Sequence, residues 1–144
     1  MTNCIQCNVE FKQWRSDAKY CSNNCQQEFQ YYEYICAWKQ GFVDGLIGDK
    51  ARGEIANPLR RYLKEKFLQC SSCGISEWNN RPITLEIEHI DGNWSNNKED
   101  NLTLICPNCH SQTDTYRAKN KGKGRKRYGD MIAPSNIRSH SSVG

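Results

Sequence analysis

Four polar residues stand close together in the stretch 86–110, and their types could carry chemistry. Glu88 and His89 end an alternating apolar run, Asn101 opens a second apolar run, and His110 directly follows a Cys-x-x-Cys pair. A carboxylate and an imidazole can bind one divalent cation and leave positions open for a phosphate oxygen and water. We therefore predict that Glu88 and His110 bind the cation and that His89 takes the proton from an attacking water. The amide of Asn101 is predicted to hydrogen-bond loop backbone and hold the two strands in place.

The neighbouring positions of Glu88 and His89 set a geometric requirement. Adjacent side chains of an ideal strand point to opposite faces, so the strand must end or distort at this point. The Asp-Gly turn that follows favours such an end. Asp91 and Asp114 are acidic neighbours that could support the metal ligands, although loop capping is the simpler role for Asp91. Asp114 stands one helical turn from His110.

The cysteines are spaced as two zinc sites. Cysteine pairs separated by two or three residues recur four times, as Cys4/Cys7, Cys21/Cys25, Cys70/Cys73 and Cys106/Cys109. Four thiolates with no open position are typical of structural zinc, not catalytic zinc. Disulfide pairing, scattered buried thiols and His110 as a substitute zinc ligand remain the alternatives. Cys36, the ninth cysteine, is predicted to be a small buried residue on a helix.

Composition supports metal binding in an intracellular protein. The chain has 144 residues and is only 37% hydrophobic, so its apolar core is small for its length and zinc would supply folding free energy. The polar N-terminus does not resemble a signal peptide, and no apolar run is long enough to cross a membrane. We therefore expect an intracellular protein with reduced thiols, where cysteine clusters bind metal more often than they form disulfides.

Positive charge is concentrated near the C-terminus. Residues 117–127 contain seven basic and no acidic residues, whereas 70–116 contain two basic and seven acidic ones. The basic arm is predicted to bind DNA phosphates through Arg117, Lys119, Lys121, Lys123, Arg125, Lys126 and Arg127. Arg60 and Arg61 lie off the apolar stripe of a predicted helix, where they either contact phosphates or form an ordinary solvated face.

The chain divides into four predicted segments. A four-cysteine zinc finger (1–28) precedes a helix and glycine-rich linker (29–56), a module with the second zinc site (57–120) and a basic tail without fixed structure when free (121–144). The helix after the finger should pack through Phe29, Tyr32, Ile35 or Cys36, and Lys39, and should stop near Gly41.

Within the third segment the pattern predicts helix, strand, loop, strand, helix. Asn57 should cap the first helix, and Pro58 suits its first turn. Alternation from Ile83 predicts a half-buried strand, and "NLTLI" predicts a second one. The last helix should start at Pro107 and end near Gly122. The fold class is a small, zinc-stabilised α+β protein.

The stretch "EHIDG…NNKEDNLTLICPNCHSQTD" resembles the HNH nuclease motif of the zinc-braced branch, and the resemblance extends over roughly 57–120. It implies a ββα-metal, treble-clef-like module in which His89 is the general base, Asn101 the structural asparagine and His110 a metal ligand. Glu88 occupies a position where this family usually has Asp or His. The N-terminal "CIQC…YCSNNC" resembles the accessory zinc modules of phage-type HNH endonucleases.

This resemblance implies a metal-dependent endonuclease that cuts double-stranded DNA and leaves 5′-phosphate and 3′-hydroxyl ends. The implied cofactors are two structural Zn²⁺ ions and a catalytic Mg²⁺ or Mn²⁺, and the implied location is the cytoplasm of a bacterial host. No membrane partner is expected, and the oligomeric state is not predicted. The alternative is a non-catalytic zinc protein that binds nucleic acid on the same scaffold, which would need the cysteines but not Glu88 and His89.

Overall fold

The computed structural model describes residues 1–48, 53–114 and 116. This part of the chain is a small α+β protein with three two-stranded antiparallel sheets. Its elements, in chain order, are β1 (Thr2–Asn3), β2 (Glu10–Phe11), α1 (Asn23–Lys39), α2 (Asn57–Lys66), β3 (Glu77–Trp78), β4 (Arg81–Pro82), β5 (Glu86–His89), β6 (Leu102–Ile105) and α3 (Pro107–Ser111). None of the helices described is long and apolar enough to cross a membrane.

Helix α1 begins and ends where local chemistry favours it. The Ser22 hydroxyl accepts a hydrogen bond from the Cys25 N–H, and Gly41 with φ of 81° follows the last turn, as predicted. The predicted packing face is right at Ile35, which is buried, but wrong at Tyr32, which is exposed. Cys36 was predicted to be buried and is exposed. The rest of the buried stripe is formed by Tyr31 and Trp38. Aromatic residues occur on several sides of this helix, so periodicity alone could not select the face.

The N-cap of helix α2 lies one residue before the predicted cap. Ala56 is the N-cap and makes no side-chain capping hydrogen bond, so Asn57 is the first helical residue and the predicted cap is wrong. Pro58 lies in the first turn, where its missing N–H leaves no helical hydrogen bond unmade. Leu59 and Leu63 are fully buried and face α1 and β6.

The main core combines residues from both halves of the chain. Helices α1 and α2 cover the hairpin of β5 and β6, so residues of the second predicted segment share one apolar cluster with the third. The buried members are Tyr31, Ile35, Trp38, Ile55, Leu59, Leu63, Leu102 and Leu104. A smaller cluster around Cys70, Ile105 and Cys106 surrounds the second cysteine group.

The hairpin of β5 and β6 differs from the prediction at its start. The first strand begins at Glu86 and not at Ile83, because the Ile83 N–H bonds the Ser76 carbonyl and extends the small β3–β4 hairpin instead. The strand stays paired through His89, opposite Leu102, and then ends. The Gly92 N–H closes the following turn on the His89 carbonyl at 2.8 Å, so the strand ends directly after His89. Pairing is regular at both Glu88 and His89, so the expected distortion between these two residues does not occur and their side chains point to opposite faces.

Helix α3 starts at Pro107 as predicted but ends at Ser111, so the prediction that it runs to Gly122 is wrong. Gln112 is its C-cap, and the Thr113 hydroxyl donates to the His110 carbonyl at 2.8 Å, which satisfies an acceptor that a longer helix would use. Residues from 117 onward, including the predicted basic tail, lie outside the described part of the chain.

Candidate functional site

Each of the two predicted cysteine sets forms a compact cluster. In each set the four sulfur atoms lie within 4.8 Å of one another, and all nine cysteines are free thiols. Neighbouring sulfurs are 3.5 and 3.7 Å apart in the first set, and the Cys73 and Cys106 sulfurs are 3.8 Å apart in the second. Four sulfurs at about 2.3 Å from a tetrahedral zinc lie about 3.8 Å from one another. Both clusters therefore fit structural zinc, and disulfide pairing is excluded for this conformation.

Backbone amides prepare one thiolate in each cluster. Burial opposes ionisation of Cys70, but backbone N–H groups, among them those of Cys73 at 3.5 Å and Cys106 at 3.2 Å, outweigh it and lower the Cys70 pKa to about 6. At Cys4 burial again opposes ionisation, but hydrogen bonds from backbone N–H groups outweigh it and lower the pKa to about 6. Because a negative sulfur is already favoured at this position, each cluster is suited to a cation.

His110 lies between two carboxylates of β5. Its Nε2 atom is 3.0 Å from Glu88 Oε2, and its Nδ1 atom is 2.5 Å from Glu86 Oε2. Two ligands at about 2.1 Å from an octahedral cation, in adjacent positions, lie about 3 Å apart, so Glu88 and His110 fit a shared divalent cation. Glu86 can accept the Nδ1 proton, which leaves the Nε2 lone pair toward Glu88.

Sequence reasoning missed Glu86, although the signal was present. Glu86 and Glu88 are two residues apart in a strand and so share one face. The edge of the Tyr116 ring also contacts His110, with ring centroids 5.0 Å apart. Asp114 lines a cavity of about 250 Å³ together with Glu88, where a supporting role for this acid stays a prediction.

His89 lies on the opposite face of β5, in different surroundings. Its Nε2 atom is 2.7 Å from the Oδ1 atom of Asn97, a buried residue that sequence reasoning also missed. His89 borders a cleft of about 490 Å³, which Arg60 and Lys64 of α2 also line. The structure thus brings the predicted base and one predicted DNA-binding residue to the same cleft.

Asn101 closes the loop between β5 and β6. It is buried, its Oδ1 accepts the Asp91 N–H at 3.0 Å, and its Nδ2 donates to the Asn96 carbonyl at 2.8 Å and to Asp91 Oδ1 at 2.9 Å. Hydrogen bonds from the Asn96 amide and the Asn93 N–H lower the Asp91 pKa. This is the loop-holding geometry that the predicted role requires.

Arg61 is engaged within the protein. Its guanidinium binds Glu28 of α1 at 2.7 and 3.0 Å and Glu65 of α2 at 2.8 Å, and it stacks on the Tyr31 ring at 4.0 Å. It therefore links α1 to α2, and its contact with DNA stays a prediction. The DNA contact of Arg60 also stays a prediction. So do the DNA contacts of the tail residues from Arg117 onward, and this tail lies outside the described residues.

The site defines a class of protein: a unit of hairpin and helix beside a four-cysteine cluster, with one histidine between carboxylates and a second histidine kept apart from it. Consistent with this class, the chain is 47% identical over 79 residues to the H-N-H endonuclease F-TflIV of Escherichia phage T5. The resemblance to HNH endonucleases is thereby confirmed. The match covers 49% of this chain, which spans only 35% of the length of that relative. No family model and no solved structure matches the chain.

Proposed function

We propose that the chain is a metal-dependent HNH endonuclease with a ββα-metal site that hydrolyses phosphodiester bonds of double-stranded DNA. The observation that carries the proposal is the contrast between two histidines of one hairpin–helix unit. His110 has a carboxylate at each ring nitrogen, whereas His89 has a neutral amide at Nε2. Carboxylate neighbours suit a cation ligand, and a neutral neighbour suits a group that must gain and lose a proton.

The proposed mechanism divides the work among these residues. A Mg²⁺ or Mn²⁺ ion on Glu88 and His110 would polarise the scissile phosphate and stabilise the departing 3′ oxygen. His89 accepts the proton of the attacking water, and Asn101 holds the loop that follows this histidine. Arg60 attracts the phosphate backbone into the cleft that it shares with His89. The expected products carry 5′-phosphate and 3′-hydroxyl ends.

The relative supports this proposal, because F-TflIV is described as an H-N-H endonuclease and comes from a phage. By the same reasoning we expect this chain to act in the cytoplasm of a bacterial host. The alternative, a non-catalytic zinc protein, would not require a histidine flanked by Glu86 and Glu88 or a second one held by an asparagine.

Plasmid cleavage by single variants tests the proposal. His89→Ala should slow cleavage by about 100-fold to 10,000-fold, the range for a positioned acid or base, and leave zinc content and DNA affinity near those of the parent. His110→Ala should instead raise the Mg²⁺ or Mn²⁺ concentration needed for half-maximal cleavage, because it removes a ligand.

The two histidine variants serve as controls for each other, since one acts on rate and the other on metal requirement. No cleavage by the parent with either metal would support the non-catalytic alternative. Unchanged cleavage by His89→Ala would show that another group is the base. Loss of zinc from His110→Ala would place that histidine at the structural site.

A further inference from the structure

Asn97 is a buried polar residue whose hydrogen-bonding groups meet three separate parts of the chain. It is only 5% exposed. Its Oδ1 faces His89 Nε2 at 2.7 Å, its Nδ2 donates to the Asp44 carbonyl at 3.2 Å, and its own carbonyl accepts the Trp38 indole N–H at 2.7 Å. A buried amide whose oxygen and nitrogen each have a partner is held in one orientation.

The Asp44 carbonyl decides which way the Asn97 amide points. If the amide were flipped, its oxygen would face the carbonyl oxygen of Asp44 at 3.2 Å, an acceptor against an acceptor, and its NH₂ would face His89. The observed orientation therefore presents Oδ1 to His89. An amide oxygen only accepts hydrogen bonds, so neutral His89 must carry its proton on Nε2 and keep its lone pair on Nδ1.

The groups that hold Asn97 come from outside the hairpin–helix unit. Trp38 is at the end of α1 and is buried, and Asp44 follows in the glycine-rich segment. Gly45 makes this junction possible, because a Cβ there would lie 2.7 Å from Leu59 Cδ2 and 3.4 Å from both Asn97 Cβ and Trp38 Nε1. The chain before residue 57 thus packs directly around the residue that contacts His89.

We propose that Asn97 is a positioning residue that fixes the ring and tautomer of His89, and that Trp38 and the Asp44 carbonyl hold Asn97 for this purpose. The inference rests on the proposed function for its catalytic meaning, but the tautomer can be measured without any cleavage. With Nε2 bound to Asn97, Nδ1 is the nitrogen that receives the proton from water. A mispositioned base lowers the rate of the chemical step without weakening DNA binding.

The experiment combines ¹⁵N-histidine NMR with single-turnover cleavage of a plasmid, using the zinc-loaded 144-residue chain. In the parent, neutral His89, assigned by comparison with His89→Ala, should show the Nε2–H tautomer. Asn97→Leu removes the acceptor at similar volume. It should give a mixture of tautomers and lower the cleavage rate about 10-fold to 100-fold, with the DNA dissociation constant unchanged.

Two further variants separate positioning from folding. Asn97→Asp keeps an oxygen toward His89, so it should keep the Nε2–H tautomer and lose less activity than Asn97→Leu. Its second oxygen faces the Asp44 carbonyl, so its thermal stability should be lower than that of the parent. Trp38→Phe keeps the buried ring but removes the N–H that binds the Asn97 carbonyl. It should also lower the rate without changing DNA affinity.

Tyr62→Phe is the matched control for the packing around Trp38, because it keeps the ring that contacts Trp38 and removes only the hydroxyl bond to Glu99. It should lower thermal stability and leave both the tautomer and the cleavage rate unchanged. A parent with Nδ1–H on His89, or equal losses in Asn97→Asp and Asn97→Leu with the tautomer unchanged, would overturn the inference. If the parent cleaves no DNA but shows the predicted tautomer, the proposed function fails and the positioning contact stands.

Discussion

At the scale of single residues, the carboxylates around His110 have unequal roles. Glu88 is nearly buried, with 11% of its side chain exposed, whereas 45% of the Glu86 side chain is exposed. Glu88 lies 3.0 Å from Nε2, the nitrogen that is proposed to bind the cation, whereas Glu86 contacts Nδ1. In the proposed site Glu86 would therefore orient the imidazole, as carboxylates beside metal-binding histidines do.

We expect Glu86→Gln to raise the Mg²⁺ concentration for half-maximal cleavage by about 10-fold to 100-fold, because the neutral amide is a weaker partner for the Nδ1 proton. The maximal rate at saturating metal should stay near that of the parent. A metal titration of plasmid cleavage measures both quantities. Glu77→Gln on β3 is the control, since this glutamate is exposed and lies outside the site. An unchanged metal requirement would show that Glu86 does not support cation binding and is only an exposed ion-pair partner of His110.

Gly45 is a second residue whose identity the structure explains. Its φ of 79° is in the left-handed region, and the space beside its Cα is filled by the fully buried Leu59. Gly41 has nearly the same φ, 81°, but nothing lies within 4 Å of a Cβ placed there. Substitutions at these two glycines therefore distinguish the cost of a left-handed backbone from the cost of overpacking.

Gly45→Ala should lower the free energy of unfolding by about 1–2 kcal/mol for the left-handed backbone and by about 1–3 kcal/mol more for overpacking. Gly41→Ala should show only the backbone cost. Urea unfolding of both variants measures the difference. Equal destabilisation would mean that Leu59 moves aside without cost.

At the scale of elements, α1 and α2 are joined by ionic and aromatic contacts as well as by the core. Glu99, just before β6, binds the Tyr62 hydroxyl, Lys66 at 3.1 Å and Lys39 at 3.6 Å. The hydrogen bond from Tyr62 is the main reason that the Glu99 pKa is lowered, and Lys66 and Lys39 add to it. One carboxylate just before the second hairpin strand thus contacts both helices.

The pH dependence of stability should reveal this contact. Because the folded pKa of Glu99 is lowered, its ionised form stabilises the fold fully above the unfolded value, about pH 4.3, and the contribution is lost as pH falls through the folded pKa. Glu99→Gln should therefore be less stable than the parent at neutral pH, by an amount that shrinks in acid.

Urea unfolding of parent and variant at matched pH measures this difference, and the comparison cancels effects of acid on the zinc sites that both proteins share. A difference that stays constant from neutral pH to pH 3, a range chosen to span the ordinary glutamate pKa, would contradict the prediction.

The elements show which patterns a sequence can and cannot resolve. Helix α2 and strand β6 have clear signals in Pro58 and in the run "NLTLI", and both occur as predicted. The start of β5 was misplaced because alternation from Ile83 continues across two separate hairpins. The end of α3 was misplaced because polar residues after Ser111 are compatible with a helix, and only the hydrogen bonds around His110 show where it stops.

At the scale of the whole molecule, the cysteine clusters were the most predictable feature, because their spacing reports local turns that bring pairs of sulfurs together. The support of His89 could not be read from the sequence. Trp38 and Asn97 are 59 residues apart, and nothing in their spacing indicates that they meet. Such a contact follows from how α1 packs on the core, which is a property of the assembled chain.

The two zinc clusters should differ in their effect on the site, and the pair Cys7→Ser and Cys73→Ser tests this. Each variant removes an exposed member of one cluster, so each should lower the zinc content by one ion per chain. Cys25 of the first cluster is on α1, about 20 Å along the helix from Trp38, so Cys7→Ser should lower thermal stability but leave Trp38 packed and cleavage largely retained.

In the second cluster Cys109 directly precedes His110. Release of that zinc should displace His110 from Glu88 and reduce cleavage by about 100-fold or more. Elemental analysis, thermal unfolding and plasmid cleavage measure the three effects. Equal loss of cleavage in both variants would mean that the first cluster supports the site along the whole length of α1.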